Sequence, residues 1–181
     1  MAARIALLRG VNLAKARRVA MADVRAAFES LGWAEVRSVS QSGNLLFEAK
    51  SAPDAVLEAD VERVLLARLG LTTEVVVRSG AEWRAMMAAN PFPAEALADP
   101  AHLVVMVLKS APGPSAEAAM AAIPGRERAR VVGREAFIVY PDGIAGSRLI
   151  GAALDKALGV RGTGRNWNTV TKLAALAGDR P

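Results

Sequence analysis

AEVRSVSQSGNLLFEA, residues 34 to 49, decides the fold. Its two strand-like runs flank Ser42-Gly43, where a glycine supplies the positive φ that a tight hairpin needs. Two paired strands are therefore expected in the middle of the first half. Upstream, RIALLRG (4 to 10) is an apolar run bounded by arginines. MADVRAAFESLGW then sets Met21, Val24, Phe28 and Leu31 at helical spacing before Gly32, a natural stop. Downstream, PDAVLEADVERVLLARL (53 to 69) opens on proline and keeps Val56, Val61, Val64, Leu65 and Leu69 on one stripe. The β-branched TTEVVVRS follows as a strand. The resulting order, β-α-β-β-α-β, is that of a ferredoxin-like unit: a four-stranded antiparallel sheet with two helices on one face.

GAEWRAMMAAN predicts a short helix ending before Asn90-Pro91-Phe92-Pro93, whose prolines forbid further helix and imply a loop. The expected boundary lies here, giving a first subdomain with its connecting helix at 1–90 and a second at 91–181. Beyond it, HLVVMVLKS reads as a buried strand, SAEAAMAAI as a helix, RARVV and AFIVYP as a hairpin around Gly133, and SRLIGAALDKAL as a helix. A last helix runs from Trp167 to Ala177, where a fourth strand would fall. The expected fold is α+β: two ferredoxin-like (βαββαβ-type) subdomains with antiparallel sheets, packed together.

A chain of 181 residues can bury a sizeable core. No apolar run approaches the roughly 18 to 20 residues that span a bilayer, so a soluble protein with no membrane partner is expected. The apolar stretch of MAARIALLRG is too short for a secretory signal and reads as a strand. Cysteine is absent, which excludes disulfides, thiolate metal sites and cysteine nucleophiles and is compatible with a reducing cytosol, so a cytoplasmic location is expected. A single histidine, His102, at the start of an expected strand, rules out multi-histidine metal sites, and no cofactor is implied.

Net charge is +5, from 23 basic and 18 acidic residues, and its distribution matters more than its total. No acid precedes Asp23, whereas Arg4, Arg9, Lys15, Arg17 and Arg18 do. None lies between Asp155 and Asp179, which enclose Lys156, Arg161, Arg165 and Lys172. Such windows attract phosphate or nucleic acid. Most carboxylates sit beside Arg or Lys on helix faces, as in Glu58, Asp60, Glu62 and Arg63, the pattern of a solvated helix. Asp142 in PDG reads as a turn former, and Glu127, between Arg126 and Arg128, as strand-surface charge. No catalytic residue is identified.

GVRGTGRNW carries Gly159, Gly162 and Gly164 ahead of a helix, where backbone N–H groups and a helix N-terminus can face an anion. The spacing fits neither the P-loop nor the dinucleotide fingerprint. Gly159 can equally end one helix and Asn166 cap the next, with Trp167 packed beneath. Capping does not account for Arg165, whose five-donor fork in a loop at a helix start suits a phosphate or carboxylate.

Four patches in this order, LLRGVN (Leu7 to Asn12), QSGN (Gln41 to Asn44), NPF (Asn90 to Phe92) and RNWNTV (Arg165 to Val170), resemble the domain-of-unknown-function family 1697 of small bacterial proteins. The resemblance spans nearly the whole chain and implies two ferredoxin-like subdomains, with no activity attached. Family members tend to follow the first patch with a glycine-glycine-lysine-asparagine loop. Here Ala14-Lys15-Ala16-Arg17 stands instead, which keeps charge but loses the backbone cradle for phosphate.

From the motif residues, Arg9, Asn12, Gln41, Asn44, Asn90, Arg165 and Asn168 form the candidate ligand-binding set. Amides and guanidinium suit recognition by hydrogen bonding better than proton transfer, since amides do not titrate. A structural reading stands beside this: Asn12, Asn44 and Asn90 border predicted turns, where asparagine bonds its own backbone. The expected function is a non-catalytic module binding a small polar or anionic ligand where the first, second and fourth patches meet. Two alternatives are RNA or single-stranded DNA binding, and an enzyme acting on a phosphorylated or carboxylated metabolite with Lys15 or a carboxylate supplied by the fold. The nucleic-acid reading has against it a sheet with only Phe47 as an aromatic in its central hairpin.

Overall fold

The computed structural model describes residues 1–12 and 18–178. The chain forms two compact units, Met1–Arg84 with the chain from Leu173, and Ala85–Lys172. The first holds β1 (Ala2–Leu8), α1 (Met21–Glu29), β2 (Ala34–Val39), β3 (Asn44–Ala49), α2 (Asp54–Leu69) and β4 (Val75–Ser79), followed by α3 (Gly80–Ala88). Its sheet has the order β2-β3-β1-β4 with every neighbour antiparallel. This is the predicted ferredoxin-like plan. The hairpin turns at Gly43, whose φ of 75° is left-handed, and a Cβ there would lie 2.4 Å from Val11 Cγ2.

One face of this sheet, through Ala6, Leu8, Leu45, Phe47, Val75 and Val77, packs on Val24 and Phe28 of α1 and Val61 and Leu65 of α2. The α2 stripe differs from expectation at its start, while Leu69 at its end packs against the core. Val56 is exposed, whereas Leu57 and Glu58 are buried. Glu58 and Glu62, one turn apart, accept the Val77 and Val75 N–H groups at 2.9 Å each. Two carboxylates thus occupy backbone donors of the outer strand β4, which a neighbouring chain could otherwise pair with.

The second unit contains α4 (Pro93–Ala98), β5 (Leu103–Leu108), α5 (Ala116–Ala121), β6 (Arg128–Val132), β7 (Glu135–Val139), α6 (Gly151–Leu158), β8 (Gly162–Asn166) and the start of α7 (Trp167–Gly178). Its sheet order, β6-β7-β5-β8, repeats that of the first unit with all neighbours antiparallel. Pro93 does not break a helix but begins one, at the N-terminal position where the missing N–H is no loss. The helix expected from Ser147 starts only at Gly151, because Leu149 is held out of it. The Leu149 carbonyl accepts the Tyr140 hydroxyl at 2.8 Å, and its N–H bonds Ser147 Oγ at 3.0 Å.

The fourth strand, expected to be missing, is β8. GTGRN has low strand propensity, yet its backbone must approach β5 closely. A Cβ on Gly162 would lie 2.4 Å from the Val107 carbonyl oxygen, and one on Gly164 would lie 2.8 Å from Met106 Sδ. At Gly162 only glycine fits without displacing the central strand, whereas at Gly164 the Met106 and Val104 side chains would have to give way.

Candidate functional site

In the first unit the candidate residues close the loops around the hairpin. Asn12, at a left-handed φ of 55°, donates from Nδ2 to the carbonyls of Gln41 (2.8 Å) and Val19 (3.2 Å), and its Oδ1 accepts the Val19 N–H at 2.9 Å. The RGVN and QSGN patches are thereby joined by one amide. Asn44 is buried and donates to Ser42 Oγ at 3.0 Å and Ser40 Oγ at 3.3 Å. The Gln41 side chain is exposed. Arg9 approaches Glu74, Nε to Oε2 at 3.7 Å, and its carbonyl accepts the Thr73 hydroxyl at 2.8 Å. Lys15 and Arg17 lie outside the described residues.

In the second unit Asn90 bonds its own loop: Oδ1 accepts the Phe92 N–H at 2.9 Å and Nδ2 donates to the Phe92 carbonyl at 3.3 Å. This local closure is the turn-forming habit of asparagine. Asn166 caps α7, with Oδ1 accepting the Thr169 N–H at 3.0 Å. Trp167 is buried beneath the cap, and its N–H donates to the Pro100 carbonyl at 3.1 Å. Asn168, in the first turn, is exposed.

Arg165 stands on β8, not in a loop. It pairs with Val105 and so lies on the sheet face opposite Val104, Met106 and Leu108, which pack against α5 and α6. Its Nη1 donates to Thr163 Oγ1 and to the Gly164 carbonyl, both at 2.8 Å. Burial lowers its pKa to about 10, which leaves a cation at neutral pH. A fixed guanidinium thus immediately precedes a capped helix start.

The second unit also holds a cleft of about 260 Å³ along the outer strand β6. Phe92, Met120 and Leu149 give it a buried apolar floor, and Glu117, Glu127, Arg128 and Arg130 supply charge. Arg128 lies over the Phe92 ring, 5.4 Å from its centroid, and bonds Glu95. That hydrogen bond holds the Glu95 carboxyl below its ordinary pKa. None of these residues was a sequence candidate, though Phe92 belongs to the NPF patch. The readable signal was Arg128 and Arg130 two apart on one strand face beside Glu127.

The sheet of the first unit offers no ring for base stacking: Phe47 stacks on Trp33 at 4.5 Å and meets Phe28 edge-on at 5.4 Å inside the core. Among the described residues no helix is long and apolar enough to cross a membrane, and no acidic or histidine cluster could hold a metal.

Residues 1–137 match the family model described as "Protein of unknown function (DUF1697)". No curated protein matches the chain. Among solved structures, the conserved bacterial protein SP0830 from Streptococcus pneumoniae superimposes with a TM-score of 0.74 at 20% identity, covering 97% of this chain and 98% of its own. The likeness extends to the fold of both units and, at that identity, no further.

Proposed function

The chain belongs to the DUF1697 family of proteins of unknown function, and from that premise, which brings no activity with it, we propose a non-catalytic module that binds a small polar or anionic ligand. The observation that carries the reading is Arg165, a cation fixed on β8 beside the N-terminal turn of α7. The helix dipole favours an anion at the start of α7, where the Trp167 and Thr169 N–H groups are already bonded, and a guanidinium adds a charge-assisted fork. The exposed Asn168 amide supplies a further donor or acceptor on the same turn. Arg9, Asn12, Gln41, Asn44 and Asn90 support the reading less directly, as residues that set loops.

Burial of Phe47 weighs against nucleic acid as the ligand, because stacking needs an exposed ring. An enzyme would need a titratable group beside the bound anion, and Arg165, Asn166 and Asn168 offer none near neutral pH. Absence of cysteine supports a cytoplasmic location.

A thermal-shift screen of phosphorylated and carboxylated metabolites tests the proposal. A ligand at 100 times its dissociation constant adds about 2.7 kcal/mol of stability. A saturable shift that disappears in Arg165→Ala is expected; a shift that Arg165→Ala leaves unchanged overturns the assignment.

A further inference from the structure

We propose that the cleft beside β6 is a second, separate site that takes a small zwitterion with an apolar body, of the kind of an apolar α-amino acid. Ligand pockets run from about 300 to 1,000 Å³, so a cleft of about 260 Å³ admits only a small molecule. Its floor of Phe92, Met120 and Leu149 suits a hydrocarbon group.

Two of the charges around that floor are already committed. Arg128 bonds Glu95 over the Phe92 ring, and Glu117 Oε1 accepts the Val131 N–H at 2.6 Å. Glu127 and Arg130 differ: neither forms an ion pair among the described residues, and they do not pair with each other. Each is held in its own direction. The Glu127 carboxylate folds over Gly125, where a Cβ would lie 1.8 Å from its Oε2. The Arg130 guanidinium turns along the strand edge, Nη1 donating to the Ala129 carbonyl at 3.0 Å.

Opposite charges on either side of one apolar floor are complementary to a molecule that carries an ammonium and a carboxylate on one carbon and a hydrocarbon group as its third arm. The ligand ammonium goes to Glu127 and its carboxylate to Arg130. A simple anion would meet the glutamates, and a simple apolar ligand would leave both charges unanswered. The site does not depend on Arg165 or on the reading built on it.

Titration of the full chain with leucine, isocaproic acid and isopentylamine, followed by NMR of the Ala121 and Ala129 amides, tests this. Leucine is expected to saturate, and each analogue lacking one charge to bind about tenfold or more weaker. Glu127→Gln should abolish the advantage of leucine over isocaproic acid, and Arg130→Gln its advantage over isopentylamine, while Arg165→Ala changes neither. Equal affinity for all three compounds, or no saturable binding of leucine, overturns the proposal.

Discussion

Arg78 and Arg165 hold the same position in two copies of one plan. Arg78 pairs with Ile5, three residues before the last paired residue of β1, Leu8; Arg165 pairs with Val105, three before Leu108 of β5. Each Nη1 bonds the carbonyl of the preceding residue, at 2.9 Å in Arg78 and 2.8 Å in Arg165. The next residue caps a helix in both units: Ser79 Oγ accepts the Glu82 N–H at 3.1 Å, and Asn166 Oδ1 accepts that of Thr169 at 3.0 Å. Along β4 and β8 the arginine is the one identical residue. The two differ in surroundings. Arg78 follows three valines and is 2% exposed, whereas Arg165 follows Gly162-Thr163-Gly164 and remains half-buried, within reach of solvent. The proposed anion site rests on the second copy.

Edge protection by Glu58 predicts a stability loss. Glu58→Ala removes the acceptor of the buried Val77 N–H and should cost about 1–3 kcal/mol in urea denaturation, with Glu58→Gln costing less because its amide oxygen still accepts. A Glu58→Ala variant as stable as the parent would mean the carboxylate is not what satisfies β4.

Asn12 combines a left-handed backbone with three side-chain bonds to the loops. Both variants lose the bonds, but Asn12→Gly also frees the left-handed backbone of its Cβ, whereas Asn12→Ala keeps a Cβ at positive φ without the asparagine's local bonding, a difference of ~1–2 kcal/mol between the two. Denaturation should therefore rank the parent above Asn12→Gly and Asn12→Gly above Asn12→Ala. The reverse order of the two variants would remove backbone strain from the account.

Gly162→Ala would drive a Cβ against the Val107 carbonyl and should destabilise the chain by about 1–3 kcal/mol. Gly146→Ala, with nothing within 4 Å of its Cβ, should stay within about 0.5 kcal/mol of the parent. Matching stabilities would show that β8 does not need the close approach to β5.

Tyr140, the only tyrosine, reports on its surroundings by alkaline titration. Burial raises its phenol pKa, and the negative charge of Glu127 raises it further. With an unfolded pKa of about 10 and a higher folded one, the folded state prefers the neutral phenol. That contribution is complete below pH about 10 and is lost as the pH rises from there towards the folded value. Phenolate absorbance should consequently appear only above the ordinary pH or together with unfolding, and Glu127→Gln should lower the pH at which it appears. Ordinary titration of Tyr140 in the native chain would contradict the burial assigned to it.

Strands rich in valine and leucine, such as LVVMVL and VVVRS, were legible because their residues supply the burial that makes them strands. The same local reasoning failed for β8, where packing against Val107 and Met106 selects glycines that propensity assigns to a loop. It also placed Val56 inside and Glu58 in solvent, since periodicity sees hydrophobicity and not the β4 donors that a buried carboxylate can satisfy. Asn166 was legible as a cap from its place before a helix. The β6 cleft was not, because Phe92, Met120, Glu127 and Leu149 come from separate segments that only the fold assembles.

The central claim, that Arg165 and the start of α7 hold an anion, is tested most directly by titrating the isotopically labelled protein with inorganic phosphate at low and moderate salt. The account predicts saturable shifts of the Asn168 and Thr169 amides that persist at moderate salt and vanish in Arg165→Ala. Identical shifts in Arg165→Ala, or amides that respond only in proportion to falling salt, would contradict it.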